Sequence, residues 1–436
     1  LCAARADCSV GSLENGAQHD RFMTHGGRGQ HPRLLFFFVF ILAKQVKQKK
    51  FAMRGNVAQQ LFDFCLHGSD SKERQVLNKM DQTTENKNIA TASVDAKVRM
   101  IARLAGVDGL KLVTSAQGGS QVFVGSCTAD GLRGTSCSFK LIRGDIAHLR
   151  RQEDFFRRVL DVQADAGGTL TPSSHGLARV LFHELVALPG DDTVLAVVTV
   201  MVPGVSFADV VRTCATGVRS LSFAQTLLLV SSCFGALAQA QEAFDGAFVH
   251  QDLKPSNIVF ESDPFDVASD LLGEIPQAAL IDLDYSFLDE EGAYWTGPHG
   301  TPGYLAPELL VGEDEDRHAR PASDVFSLGV LAHEALCGSL PYLAGAPEAG
   351  ACGNAWKEFF EACQSAGTSA IAVDEGLPDD VRGAIRACLA DDPAARPLAS
   401  QAAVAFDDLA RRYVRLKGDF IGDRHVMDVV TPVTLL

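Results

Sequence analysis

The apolar positions along the chain change their spacing from region to region, and each spacing predicts a different element. Residues 1–52 are irregular, and residues 53–104 are polar with a few helical spacings, such as Val57, Leu61 and Cys65. From Leu110 the pattern turns to short β-like runs, Lys111–Thr114, Gln121–Gly125 and Ser136–Ile142, parted by Gly and Asp turns. That alternation predicts an antiparallel sheet. His148–Gln163 interrupts it: Phe155, Phe156, Val159 and Leu160 fall at helical spacing in a charged background, which predicts one helix packed on the sheet. Arg179–Leu188 and Thr193–Val202 read as further strands, and Pro203-Gly204 then breaks the chain. From there to about Tyr413 the spacing is mainly helical, most clearly in Ser222–Phe244, Ser323–Leu336 and Asp379–Ala390. The predicted class is α+β, a small β-rich lobe with one main helix joined to a larger, mostly helical lobe. Residues 1–105 then form a variable N-terminal extension, 106–199 the small lobe, 200–415 the helical lobe and 416–436 a C-terminal tail.

Composition narrows the functional classes. With 47% hydrophobic residues among 436, the chain has ample material for real cores. The 54 acidic against 39 basic residues give a formal charge of −15, which opposes a general attraction to phosphate backbones or anionic membranes. Nucleic acid is therefore not an expected partner. The 11 cysteines are scattered without a C-x-x-C pair, which reads as reduced, mostly buried thiols in place of zinc ligands or a disulfide framework. The apolar run Leu34–Ala43 has ten residues, against the roughly 20 that a membrane span needs, so no stable membrane insertion is expected. The run has the length of a signal-peptide core but lacks the small-residue cleavage pattern. The expectation is a cytoplasmic monomer, with a secreted or membrane-associated protein as the alternative if residues 34–43 are a genuine signal.

Candidate chemistry is concentrated in two short segments. The first, HQDLKPSNIVF at His250–Phe260, places Asp252, Lys254 and Asn257 in a turn between a long helix and a short apolar strand. Phosphoryl transfer needs a carboxylate to orient the acceptor hydroxyl, a cation against phosphate charge and an oxygen ligand for Mg²⁺, and these three side chains are of the right types. In the second, the apolar run Ala278–Ile281 ends in Asp282, a carboxylate that can share Mg²⁺ and hold the phosphates in line. Each segment alone is equally a capped turn or a strand end.

Together these residues resemble the catalytic and metal-binding loops of eukaryotic protein kinases of the serine/threonine type, and further matches follow in that family's order. GTPGYLAPE (Gly300–Glu308) is similar to the end of the activation segment, Ser323–Tyr342 to the buried helix that follows, Arg396 to the arginine that pairs with Glu308, and Lys140 to the lysine of the third strand. The resemblance implies the two-lobed protein kinase fold. It also implies that Lys140 contacts the α- and β-phosphates of ATP, with Glu153 as its helix partner and Asp154 or Asp161 as alternatives. Asp252 is then the base or hydroxyl-orienting residue, Lys254 a phosphate contact, and Asn257 and Asp282 the Mg²⁺ ligands. His250 is a packed structural residue. Thr301 bridges Asp252 and Lys254, and Asp324 caps its helix or ties down the catalytic-loop backbone. Glu308 and Arg396 form a largely buried ion pair. Thr199 is the gatekeeper, and Val200, Met201 and Val202 the hinge whose backbone holds adenine.

The sequence also departs from the family's pattern. The glycine-rich loop over the nucleotide, G-x-G-x-x-G-x-V, is reduced to Ala116, Gly118, Gln121 and Phe123 at its marked positions, with Gly119 as partial compensation. Gln251 replaces the arginine that commonly pairs with a phosphorylated activation-loop residue. Leu283 and Asp284 follow the metal aspartate where phenylalanine and glycine are usual, which puts a second carboxylate near Mg²⁺, and Ser138 replaces an alanine of the adenine pocket. Residues 261–274 and 312–318 read as acidic surface insertions, with recruitment of basic substrates as the alternative reading of the latter.

Lys140, Asp252, Asn257 and Asp282 are all present, so the resemblance implies an ATP- and Mg²⁺-dependent kinase acting on serine and threonine hydroxyls of protein substrates. The altered glycine loop supports the alternative, a pseudokinase that serves as a binding or allosteric module. A kinase acting on small molecules is a third reading, against which GTPGYLAPE argues, since it resembles a peptide-substrate platform.

Overall fold

Alternation along the first strands builds the small lobe. The computed structural model describes residues 98–99, 101–103, 105–115, 120–128, 132–165, 171–188, 193–266, 276–290, 299–311 and 318–419, within the unit Asn86–Leu436. β1 (Val107–Ser115), β2 (Gln121–Cys127) and β3 (Ser136–Ile142) precede α1 (Ile146–Asp165) and the short β4 (Ser173–Ser174) and β5 (Leu177–Ala178). β6 (Val180–Ala187) and β7 (Thr193–Val200) complete an antiparallel sheet in the order β1-β2-β3-β7-β6. In its register Ser138 lies opposite Val124 and Thr199, and Lys140 opposite Val122 and Val197, so these six positions share one face. Cys137, Phe139 and Leu141, fully buried, take the other face and pack with Phe123 and Val198. That core reaches back to Val98, Ile101 and Ala102, upstream of residue 106.

α1 presents Leu149, Phe156 and Val159 to a core continuous with that of the larger lobe, and Phe155 meets Phe248 with ring centroids 6.3 Å apart. The lobes join at Met201–Gly204. Gly204 has a positive φ of 148°, and a Cβ there would run into the Phe260 carbonyl, so only glycine lets the linker lie this close.

The larger lobe opens with β8 (Val205–Ser206), α2 (Phe207–Ala215) and α3 (Phe223–Ala243), then β9 (Phe248–Val249), β10 (Ile258–Phe260), β11 (Ala278–Leu280) and β12 (Phe287–Leu288). It closes with α4 (Pro321–Cys337), α5 (Gly353–Ser365), α6 (Asp379–Cys388) and α7 (Ala399–Asp419). α3 starts where Ser222 Oγ accepts from the Gln225 N–H while the Gln225 side chain accepts from the Ser222 N–H, a reciprocal cap worth about 1 kcal/mol. By length and apolar content α3 could cross a membrane, but its apolar residues are core: Phe234 stacks on Phe406 of α7 at 5.4 Å, and Ser231 Oγ donates to Ala403 O at 2.8 Å. α4 is apolar nearly all round and is correspondingly buried from Ser323 to His333. It ends at Gly338, in the left-handed conformation.

β10 and β11 form an antiparallel pair, Ile258 opposite Leu280, within the sheet order β4-β5-β11-β10-β8. β9 pairs with β12. These short strands bring residues 250–257 and 282–286 to one end of the pair. The described cysteines are all free thiols, with Cys127, Cys137, Cys214, Cys233 and Cys388 buried.

Candidate active site

The loop after β9 is clamped through its backbone. Asp324, 1% exposed on α4, accepts from the His250 N–H at 2.6 Å and the Gln251 N–H at 3.0 Å. Of the two roles predicted for it, tying down the loop is the one it performs; at the start of α4 the Arg320 N–H donates to Ser323 Oγ at 3.2 Å. Burial pushes the Asp324 carboxyl up to about 7, against the opposing pull of those two donors. His250 is fully buried, and burial holds its imidazole below the usual range. Its Nε2 donates to Ile281 O at 3.0 Å and its Nδ1 accepts from the Asp252 N–H at 3.3 Å, so the neutral ring links the loop to the strand before Asp282.

Held this way, Asp252 becomes the centre of a closed set. Lys254 Nζ donates to Asp252 Oδ2 and to Thr301 Oγ1, both at 2.8 Å, and Thr301 Oγ1 donates to Asp252 Oδ1 at 2.9 Å. Asn257 Nδ2 donates to Asp252 Oδ2 at 3.0 Å and to its carbonyl at 2.8 Å. Gly300 makes the approach of Thr301 possible: its φ is 120°, and a Cβ there would lie 2.5 Å from Gln251 O. Gln251 and Asp282 also adopt left-handed φ, 70° and 64°, at a cost of about 1–3 kcal/mol each. Such strain concentrates where the surrounding structure over-determines a functional geometry.

From β3, Lys140 reaches across the cleft. Its Nζ pairs with Asp282 Oδ1 and, at 3.2 Å, with Asp284 Oδ2. Burial works against the Lys140 charge, and the carboxylates of Asp284 and Asp282 outweigh it, so its pKa is raised. Burial pushes Asp284 up as well, despite the lysine beside it. Glu153 does not join this group, which corrects the expectation that it pairs with Lys140. The buried stripe of α1 runs through Leu149, Gln152, Phe156 and Val159, and Glu153, about 100° of helix rotation past Gln152, is only half-buried on the flank of that stripe. Asp154 and Asp161 pair with Arg157 instead.

At the positions expected to meet adenine, Ser138 and half-buried Thr199 face one another across β3 and β7. The Val200 N–H is spent on Arg179 O at 2.8 Å and the Met201 N–H on Ser136 O at 2.9 Å, while among the described residues the Val202 N–H takes no backbone bond. Ala116, Gly118 and Gly119 lie outside the described residues, as do 312–317 and the run 34–43.

Comparison with known proteins decides the family. The protein kinase domain model matches residues 186–405, just over half of the chain. The chain belongs to the protein kinase family. It is 31% identical over 160 residues to the calcium/calmodulin-dependent protein kinase cmkB of Emericella nidulans, covering 36% of this chain and 35% of that protein. It is 38% identical over 94 residues to a probable cAMP-dependent protein kinase catalytic subunit of Encephalitozoon cuniculi, covering 22% and 24%. To serine/threonine-protein kinase D2 of Rattus norvegicus it is 35% identical over 95 residues, covering 22% and 9%. The chain thus spans about a third of the length of the first of these relatives and a quarter or less of the others. β1, β2, β3 and α1, with Lys140, precede the matched stretch.

Within this kinase domain the ion pair of Glu308 and Arg396 is two-pronged, at 2.7 and 2.8 Å, and Arg396 also donates to Ala390 O and Ala322 O. The arginine side chain is wholly buried. Among the described residues no cluster of three or more His, Cys, Asp or Glu side chains forms a metal cage. Mg²⁺ in phosphoryl-transfer sites needs only one or two protein oxygens plus phosphate oxygens and water. Asn257 and Asp282 fit that pattern: Ile281 N donates to Asn257 O at 2.9 Å, so they flank one strand pair. Asn257 spends its amide nitrogen on Asp252, leaving Oδ1, among the described residues, with a 3.4 Å contact from Ser256, and the Asp282 side chain is 41% exposed. The two groups the sequence reasoning missed at this site are Gln152, hidden in the apolar stripe of α1, and Asp284 in its contact with Lys140.

Proposed function

We propose that this chain is an ATP-dependent protein kinase that transfers the γ-phosphoryl group of Mg·ATP to serine and threonine hydroxyls of protein substrates. The observation that carries this reading is the set closed around Asp252, in which Lys254, Asn257 and Thr301 hold one carboxylate on a loop fixed by Asp324. Asp252 then orients the acceptor hydroxyl and receives its proton, while Lys254 sets positive charge beside the transferring group. Lys140 holds the nucleotide phosphates from the small lobe. Asn257 Oδ1 and Asp282 would hold Mg²⁺, which neutralises phosphate charge when bound. GTPGYLAPE, whose Tyr304 is anchored to Glu334 at 2.7 Å, supports a peptide acceptor, as do the names of the relatives.

The test compares phosphate transfer from Mg·ATP to a basic protein acceptor by the full chain and by Asp252→Asn and Lys140→Met. Transfer by the parent that both variants lose is expected. A folded parent that transfers nothing favours the second reading, a pseudokinase. That reading draws on the two carboxylates already occupying the Lys140 ammonium. Absence of Mg·ATP binding by calorimetry would then point to a pure scaffold.

A further inference from the structure

We propose that Asp284, and no carboxylate of α1, is the positioning residue that holds Lys140 for the nucleotide phosphates. This rests on the phosphoryl-transfer reading for its catalytic meaning, and on geometry for the pairing itself. Lys140 Nζ has three N–H donors. Two face Asp282 and Asp284, so the lysine remains tethered by Asp284 when Asp282 serves another ligand. The short helical turn Leu283–Tyr285 places both carboxylates on the lysine side, and Leu283, 3% exposed, anchors that turn in the core.

The helix side carries the complementary observation. Gln152 is the polar residue that the buried stripe of α1 turns towards the segment after Asp282: it is 6% exposed, and its Nε2 donates to Ser286 O at 3.2 Å. Its Oε1 is buried with no hydrogen-bond partner among the described residues. A neutral amide therefore stands where the helix approaches the metal segment, and it bonds backbone, not the lysine. The helix is further fastened to the segment after β12 by Arg158, which grips Glu290 with two bonds of 2.7 Å. Lysine placement and helix placement are thus separate: the larger lobe sets the first through Asp284, and α1 is docked independently.

Two measurements on the full chain test this. In the first, kcat and KM for ATP are compared for the parent, Asp284→Asn, Asp284→Glu and Glu153→Gln. The expected pattern is a kcat at least tenfold lower for Asp284→Asn, partial recovery in Asp284→Glu, and both constants within twofold of the parent for Glu153→Gln. The second needs no catalysis: thermal unfolding of Lys140→Met, each partner variant and the doubles. Tm shifts of Lys140→Met and Asp284→Asn should fall short of additivity by several degrees, and those of Lys140→Met and Glu153→Gln should add. An inactive parent with the Lys140–Asp284 coupling intact sinks the phosphoryl-transfer reading and upholds the pairing. Additive shifts for Lys140 and Asp284, or a Glu153→Gln loss as large as that of Asp284→Asn, overturn the proposal.

Discussion

In the larger lobe Asp252, Lys254, Asn257 and Thr301 bond to one another on a loop whose backbone Asp324 grips; across the cleft Lys140, among the described residues, forms its ion pairs with Asp282 and Asp284 of the opposite lobe. The first arrangement is built before any ligand arrives. It rests on backbone donors, a buried carboxylate and two left-handed residues, all within the stretch that the family model matches. The second depends on how the lobes meet, through Lys140 on Asp284, Gln152 on Ser286 and Arg158 on Glu290. On the proposed reading, the acceptor side and the nucleotide side of the site are secured by different physics. Preorganised hydrogen bonds hold the one, and pairs reaching across a cleft hold the other.

The sharpest way to break that comparison is Asp252→Asn. An amide keeps the shape of the side chain but neither takes a proton nor draws Lys254 as a charge. We expect kcat to fall about 10²- to 10⁴-fold with the affinity for Mg·ATP nearly unchanged. An equal loss of nucleotide affinity in calorimetry would show that the two regions are not separable.

Stability should follow the same division. Arg396→Ala strands the Glu308 carboxylate beside Ser323 and should cost about 3–5 kcal/mol in denaturant unfolding. Arg158→Ala breaks a two-pronged pair that is largely in solvent and should cost only about 0.2–1 kcal/mol. Comparable losses would mean that the cross-cleft contacts are as structural as those of the larger lobe.

What the sequence reveals follows the same line. The strand and helix periods were legible because burial is periodic: β6, β7, α3, α4 and α6 fall where the apolar spacing places them. The loop around Asp252 is legible as a connected set because its side chains are fixed by neighbours in sequence, as with Asp252, Lys254 and Asn257, or by one conspicuous segment, Gly300–Glu308. On α1, charge is a poor guide to what faces Lys140, and it selects Glu153. The helix buries by angle, and the stripe through Leu149, Phe156 and Val159 selects Gln152, one residue earlier. The role of Asp284 stayed hidden because its partner is 144 residues away, a separation no local spacing reports.

A smaller effect tests how firmly the end of the activation segment is seated on α4. Tyr304 OH donates to Glu334 Oε2 at 2.7 Å. Burial raises the Glu334 carboxyl, and the tyrosine bond only partly offsets this. A proton held more tightly folded than unfolded contributes stability below about pH 4.5 that is lost as pH rises through the folded value. Glu334→Gln keeps an acceptor for Tyr304 without the charge. Its Tm relative to the parent should therefore climb by about 1–3 °C between pH 4 and pH 8. A decline over that range would mean that the tyrosine bond, not burial, governs the carboxylate.

The smallest expected effect concerns Gln251, on the clamped loop of the larger lobe. It is 4% exposed, and neither atom of its amide has a hydrogen-bond partner among the described residues. Its backbone is nevertheless fixed, the N–H on Asp324 and the carbonyl against Gly300. The side chain is neutral where a guanidinium would pair with phosphate, so phosphorylation of the segment from Tyr285 to Thr301 has no charge here to engage. Exhaustive phosphatase treatment should leave kcat/KM within about twofold of the untreated protein. A large loss, mapped by mass spectrometry to that segment, would show that the loop around Asp252 is not preorganised after all and needs an added charge to reach its working geometry.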